Sequence, residues 1–244
     1  MHVHLVIPAF RESERLPFYL ERLLPELNHS GLEFTVRVVD DGSGEPDRHL
    51  LRSELKNLRA HYPHLLLETC WLQENLGKGG AVYAGWHQAP DCEVLGFLDA
   101  DGSIPAPEVV RMARRMERAP DTAWFASRIR MLGRSITRSE RRHYIGRLYA
   151  TMIGNLLKIP VYDSQCGFKL LPANRVRKIL PQCRENGFAF DLELLLLLFH
   201  EACPVREMPI DWHDTPGSKV RLVRDSFRMA LTVLRLKRRF SSHA

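Results

Sequence analysis

The feature that most limits how this chain can fold is an alternation in its first half. Four short, apolar, β-branched stretches occur there: HVHLVIPAF from His2, FTVRVVDDGS from Phe34, HLLLETCWL from His64 and EVLGFLDADGS from Glu93. Segments with helical spacing separate them. ESERLPFYLERLLPEL places Leu16, Leu20, Leu23, Leu24 and Leu27 on one stripe, and Glu45–Tyr62 does the same with Leu51, Leu55 and Leu58. NLGKGGAVYAGWHQA reads as a Gly-rich turn opening a helix, and PAPEVVRMARRMERA begins with prolines suited to a first helical turn. Strand and helix in strict alternation predict an α/β fold, a mostly parallel sheet flanked by helices.

In such sheets ligands bind outside the carboxyl ends of the strands. Three of the four predicted strands end in polar residues there: Pro8 to Glu12, Asp40-Asp41-Gly42-Ser43, and Asp99-Ala100-Asp101. Past Trp124 the pattern loosens. WFASRI reads as a further strand, RSERRHYIGRLYATMIGNLLK as an amphipathic helix with a basic start, and DSQCGFKLLP as a loop or short strand. FDLELLLLLFHEA reads as a helix and VREMPIDW as a late strand.

Size and charge bound the function classes. A chain of 244 residues with 45% hydrophobic side chains can build one compact unit with a substantial core. Met1 runs directly into HVHLVIPAF with neither a basic lead nor an apolar signal segment, so export is not expected. The five cysteines are scattered, odd in number and without zinc-ligand spacing, which predicts reduced thiols in a cytoplasmic protein. The longest purely apolar run, Leu194–Phe199, is too short to span a bilayer. Net charge is +6, and Ser218–Phe240 alone carries eight Lys/Arg against one Asp. A basic balance suits nucleic acid, an anionic membrane surface or a phosphorylated substrate. Acids at the mouth of the sheet oppose nucleic acid.

Three motifs carry candidate chemistry. In an extended strand end alternate residues face one side, so Asp99 and Asp101 can approach one ion. Mg2+ or Mn2+ suits one or two carboxylates completed by substrate phosphate oxygens; a pair of solvated turn acids is the competing reading. Asp40-Asp41-Gly42-Ser43 is either an Asp/Gly/Ser turn or a carboxylate that accepts from a nucleoside. Asn75-Leu76-Gly77-Lys78-Gly79-Gly80 is either a simple turn or a helix entrance that favours anions, and it lacks the P-loop pattern.

VIPAFRE, VVDDGS, NLGKGGAV, FLDADGS, RSERR, DSQCGFKLL, FAFDLELL, EMPIDW and GSK occur in one order along the chain. In that order they resemble the family 2 glycosyltransferases of the GT-A fold. Within these, the resemblance is to the polyprenyl-phosphate sugar transferases: the dolichyl-phosphate β-glucosyltransferases first, the dolichyl-phosphate mannose synthases next. The resemblance implies a GT-A domain over 1–218 and inverting transfer of a hexose from a nucleotide diphosphate sugar to a polyprenyl phosphate. The apolar and basic residues interleaved after it read as a C-terminal basic amphipathic helix or tail over 219–244, with an ordinary surface helix packed on the core as the competing reading. UDP-glucose is the favoured donor, partly because Ser103 stands where mannose synthases commonly carry Gln; GDP-mannose is the alternative.

By the same resemblance, Pro8, Ala9, Phe10, Glu12, Asp40, Lys78 and Ala100 hold the nucleotide sugar, and Asp99 and Asp101 the diphosphate and a divalent ion. Arg128, Arg138, Arg142, Asp163, Gln165, Lys169, Glu193 and Lys219 face the acceptor. Asp191 is a candidate catalytic carboxylate. Because a polyprenyl monophosphate is already a nucleophile at neutral pH, substrate positioning is as good a role for Asp191 as proton removal. The relatives often carry a membrane span and this sequence shows none. A soluble glycan acceptor is therefore a second reading, and the basic C-terminal segment is a candidate peripheral contact with a membrane surface.

Overall fold

The computed structural model describes residues 1–129, 131–137, 154, 156–157, 159–215 and 222–241, with side chains in the last segment described from 231 to 240. Its centre is a seven-stranded sheet in the order β3-β2-β1-β4-β7-β5-β8. The strands are β1 (His2–Ala9), β2 (Glu33–Asp40), β3 (Cys70–Trp71), β4 (Val94–Leu98), β5 (Ala123–Ser127), β7 (Phe168–Pro172) and β8 (Val205–Pro209). A two-stranded parallel ribbon joins β6 (Ile136–Thr137) to β9 (Trp212–His213). β1 pairs in parallel with β2 and β4, β2 with β3, and β5 with β8; β7 runs antiparallel to both β4 and β5.

Helices cover both faces. On one lie α1 (Leu16–His29), α2 (Glu45–His61) and α4 (Ala106–Arg118). On the other lie α3 (Lys78–His87), α5 (Ala173–Ile179) and α6 (Phe190–His200), with α7 (Leu222–Ser241) packed beside them. β1 shows how strand alternation feeds both layers. Its Val3, Leu5 and Ile7 enter the core under α1, whereas Val6 enters the core under α3. β4, β5 and β7 are buried at every residue, the pattern of strands sandwiched between helix layers. α7 is tied to the second core by Val233 and Leu236, and its Arg239 pairs with Glu193 of α6. Among the described residues no helix is long and apolar enough to cross a membrane.

Two local expectations change. HLLLETCWL forms only the two-residue β3, preceded by a single bridge from Leu66 to Val36, because the chain touches the sheet edge and leaves it again. DSQCGFKLLP ends in a full inner strand, β7, inserted backwards between β4 and β5. That reversal has a functional consequence. In register Leu98 faces Phe168, so the segment entering β7 arrives at the same edge where β1, β2 and β4 end. Motifs far apart in sequence therefore converge on one mouth.

Candidate active site

The left wall of the mouth is built from the ends of β1 and β2. Pro8 and Ala9 close β1 opposite Val39 and Asp40, and the Asp41 amide donates to the Ala9 carbonyl at 2.8 Å. Phe10 lies half-buried beyond them with the Arg11 guanidinium 5.1 Å from its ring. Arg11 adopts a left-handed backbone (φ 57°), uncommon for a non-glycine residue, and its N–H donates to Ser43 Oγ at 2.8 Å. The first and second motifs are thus locked to each other. Glu12 is buried, and Arg15 grips it with a fork at 2.8 and 2.5 Å.

Asp40 is fully buried; its Oδ1 accepts from Arg48 Nε at 2.7 Å and from the Ser43 amide at 3.2 Å. Its other oxygen, Oδ2, is buried and has no hydrogen-bond partner among the described residues. Asp41 turns the other way and accepts from the Leu76 and Gly77 amides at 2.7 and 3.0 Å. Burial pushes the Asp41 carboxyl up, and these two amides pull it back. Gly77 is required here. Its φ of +90° suits only glycine, and a Cβ would lie 2.6 Å from the Asn186 carbonyl oxygen.

The floor is a group of charges gathered at the end of β4 and the starts of β7, α3 and α6. Lys78, the first residue of α3, pairs with Asp99 Oδ1 at 2.6 Å. Burial pulls the Lys78 ammonium down, but Asp99, Asp191 and Asp101 together hold it above the usual lysine range. Asp101 accepts from the Ser103 amide at 2.9 Å; burial and the neighbouring Asp99 push its carboxyl up. Ala100 between them is buried in the first core. Ser103 also accepts a bond from the His213 amide at 2.9 Å, tying this turn to β9.

Lys169 of β7 lies underneath, with no exposed surface. It pairs with Asp191 Oδ1 at 2.7 Å and donates to the Cys166 carbonyl at 2.7 Å. The two lysine ammonium groups lie 5.4 and 4.9 Å from the centre of the Phe97 ring. Burial pushes the Asp191 carboxyl up, opposed by Lys169 and Lys78.

The right wall comes from β5 and the segment before β7. Arg128 forks Asp163 at 2.7 and 2.8 Å and stacks 5.6 Å from the centre of Trp212. Burial alone would raise the Asp163 carboxyl, but Arg128 holds it down at about 2. Glu207 of β8 accepts from the Tyr162 and Asp163 amides at 2.7 and 2.8 Å and fixes that loop. Gln165 sits half-buried two residues on.

The structure therefore brings Asp99, Asp101, Lys78, Asp191 and Lys169 into one charge cluster and places Arg128, Asp163 and Gln165 beside it. It does not bring Glu193 there. Glu193 faces away, accepting from the Arg184 and Glu185 amides, each at 2.8 Å, and pairing with Arg239. Lys169 lies beneath the cluster rather than at its surface. Arg138, Arg142 and Lys219 lie outside the described residues. Sequence reasoning missed Arg15, Arg48 and Gly167. Arg15 was readable three residues after Glu12 at a helix start; Arg48 and Gly167 act through contacts that only the fold creates.

Gly167 shapes the surroundings of Asp99. Its carbonyl accepts the Asp99 amide at 2.8 Å, and a Cβ on it would stand 1.9 Å from Asp99 Oδ2. Asp99 thus extends one oxygen into a cleft that any other side chain would fill. Among the described residues no three His, Cys, Asp or Glu gather as a self-sufficient metal site. Two carboxylates at an open mouth fit a hard divalent ion completed by phosphate oxygens of a ligand.

Comparison with known proteins identifies the fold and the family. A Saccharomyces cerevisiae dolichyl-phosphate beta-glucosyltransferase is 28% identical over 248 residues, covering 95% of this chain and 73% of the relative. A Drosophila melanogaster protein of the same description is 29% identical, covering 90% and 69%. Among solved structures, glucosyl-3-phosphoglycerate synthase from Mycobacterium tuberculosis with Mn2+, UDP-glucose and phosphoglyceric acid superposes with a TM-score of 0.70 at 11% identity, over 97% of this chain and 79% of that one. The same synthase with Mg2+ and UDP gives 0.68 at 12% identity, over 96% and 79%. The fold is GT-A. The sequence profile of glycosyl transferase family 2 matches residues 4–180, most of the chain. With its acids at the strand ends and its profile matched across the sheet, this chain belongs to glycosyl transferase family 2 and is a glycosyltransferase.

Proposed function

We propose that this enzyme transfers glucose, with inversion, from UDP-glucose to a polyprenyl phosphate of the dolichyl class. The observation that carries the reading is the charge layout of the mouth. Asp99 and Asp101 stand at the end of β4, Lys78 is paired to Asp99, and Arg128, forked to Asp163, lies within electrostatic reach of Asp99. Relatives named dolichyl-phosphate beta-glucosyltransferase, similar over nine-tenths or more of the chain, support the choice of donor and acceptor.

On this reading Pro8, Ala9, Phe10 and Glu12 hold the nucleoside with Asp40, whose buried Oδ2 has no hydrogen-bond partner among the described residues. Asp99 and Asp101 would hold Mg2+ or Mn2+, which when bound offsets charge on the departing diphosphate. Arg128 presents a guanidinium to the acceptor phosphate, joined by Arg138, Arg142 and Lys219 from the segments outside the described residues. The acceptor phosphate is already ionised at neutral pH, so these residues place it rather than deprotonate it. Asp191, 2% exposed and ion-paired with Lys169, serves as a fixed negative charge beneath the sugar rather than as a proton acceptor. We place the enzyme at the cytoplasmic face of a membrane. Exposed Leu231 and Leu234 on α7, beside exposed Arg235 and Lys237, support peripheral contact with anionic lipid there.

The test is direct. Purified protein incubated with labelled UDP-glucose, Mg2+ and a short polyprenyl monophosphate is expected to move label into an organic-extractable glycolipid. Label moved from GDP-mannose but not UDP-glucose would replace the donor assignment. Label moved only to a soluble glycan would overturn the acceptor.

A further inference from the structure

Lys78 is bound to a group that the proposed reaction needs for something else. Its ammonium lies 2.6 Å from Asp99 Oδ1, one of the two carboxylates available for a divalent ion. This is not a surface lysine that happens to swing close. Lys78 begins α3, its side chain is only 15% exposed, and the rings of Phe97 and Phe190 lie 5.4 and 5.9 Å from its charge. Asp99 by contrast is 33% exposed and open to the mouth. Its second oxygen occupies the space that a side chain at position 167 would fill and that glycine leaves open. The acids that act on Lys78 are Asp99, Asp191 and Asp101, and a second cation, Lys169, lies 4.9 Å from the centre of the same Phe97 ring.

Building on the reading above, we propose that Lys78 is a built-in placeholder cation that makes divalent-ion binding conditional on the nucleotide sugar. With the mouth empty, the ammonium neutralises Asp99 and repels a second cation from the Asp99–Asp101 pair. When a nucleoside diphosphate arrives, its phosphate oxygens give Lys78 an alternative partner and at the same time supply the ion's missing ligands. One anion thus converts competition into cooperation, and the coupling is reciprocal, because ion and nucleotide each raise the other's affinity by the same factor. The consequence is an enzyme that keeps Asp99 compensated between turnovers without storing a metal.

The experiment measures Mn2+ affinity from the free-ion electron paramagnetic resonance signal, with and without UDP, for the wild type, Lys78→Met and Lys78→Arg. Without nucleotide the wild type is expected to bind Mn2+ weakly, and Lys78→Met about tenfold or more tightly. UDP should strengthen binding by the wild type far more than by Lys78→Met. Lys78→Arg, which keeps the charge, should stay weak without nucleotide, separating charge from simple disturbance of the site. Thermal melts establish that each variant is folded at the assay temperature. Equal Mn2+ affinity of wild type and Lys78→Met in the absence of nucleotide overturns the placeholder. A wild type that binds no Mn2+ even with UDP overturns the ion-assisted reading of the active site instead, so the two failures are distinguishable.

Discussion

Replacing Gly167 with alanine is expected to lower kcat about 100-fold or more while leaving the protein folded. The added Cβ would stand 1.9 Å from Asp99 Oδ2 and 2.2 Å from its Cγ, far inside contact distance. Gly167 is not in the left-handed backbone region, so alanine meets no conformational penalty of its own. The strain is relieved most cheaply by swinging the carboxylate away, since that is the mobile end of the contact. The fold then loses only the cost of modest overpacking, about 1–3 kcal/mol. The activity loses much more, because a displacement on the order of 1 Å at a reacting centre costs about 100-fold. Steady-state rates beside a thermal melt check both halves. A variant with normal kcat would show that the position of Asp99 is not what turnover depends on.

The second large effect is on stability. Lys169→Met is expected to destabilise the protein by about 3–5 kcal/mol, because removing one partner of a buried pair strands the other. For a chain of this size that is a fall in Tm on the order of 10 °C. Lys169 has no exposed surface, and without it Lys78 is the counter-charge left to Asp191 among the described residues. The double variant Lys169→Met/Asp191→Leu should recover much of the loss, since it removes the stranded charge as well.

The pH dependence follows from the direction of the Asp191 shift. Burial raises its carboxyl above the unfolded value, so its protonation stabilises the fold in acid, and that contribution is lost as pH rises through the folded pKa. Losing Lys169 raises that pKa further. The deficit of Lys169→Met should therefore be largest near neutral pH and shrink as the solution is acidified. Denaturant melts across pH test this. A deficit under about 1 kcal/mol at pH 7, or one that grows in acid, contradicts the pairing.

The two variants also mark how far the sequence alone could lead. The β1, β2 and β4 strands and their terminal acids were legible because burial, β-branching and strand-end polarity are local properties. Asp99 and Asp101 could be assigned to one site for that reason. The direction of β7 was not legible: a strand buried on both faces carries no sign of its orientation. Yet that orientation is what lays Gly167 against Asp99 and slides Lys169 beneath Asp191. Hence Lys169 reads from its motif as an acceptor-side residue and proves to be a buried counter-ion. Glu193 differs for a simpler reason. Two positions along a helix turn a side chain by about 200°, so with Asp191 aimed at the mouth, Glu193 meets the 184–185 amides and Arg239 instead. HLLLETCWL was overread because apolar character alone cannot tell a full strand from an edge segment that pairs only briefly.

The central proposal is that the Asp99 and Asp101 carboxylates let a nucleoside diphosphate leave its sugar. The most direct measurement is UDP released per enzyme from UDP-glucose, with Mg2+ and a short polyprenyl phosphate, by the wild type and by Asp99→Asn/Asp101→Asn. The charge-neutral variant should retain the fold and bind UDP without gaining affinity from the ion, and its turnover should fall by about 1000-fold or more, the scale of losing electrostatic stabilisation of a developing charge. Turnover within a few-fold of the wild type would contradict the account.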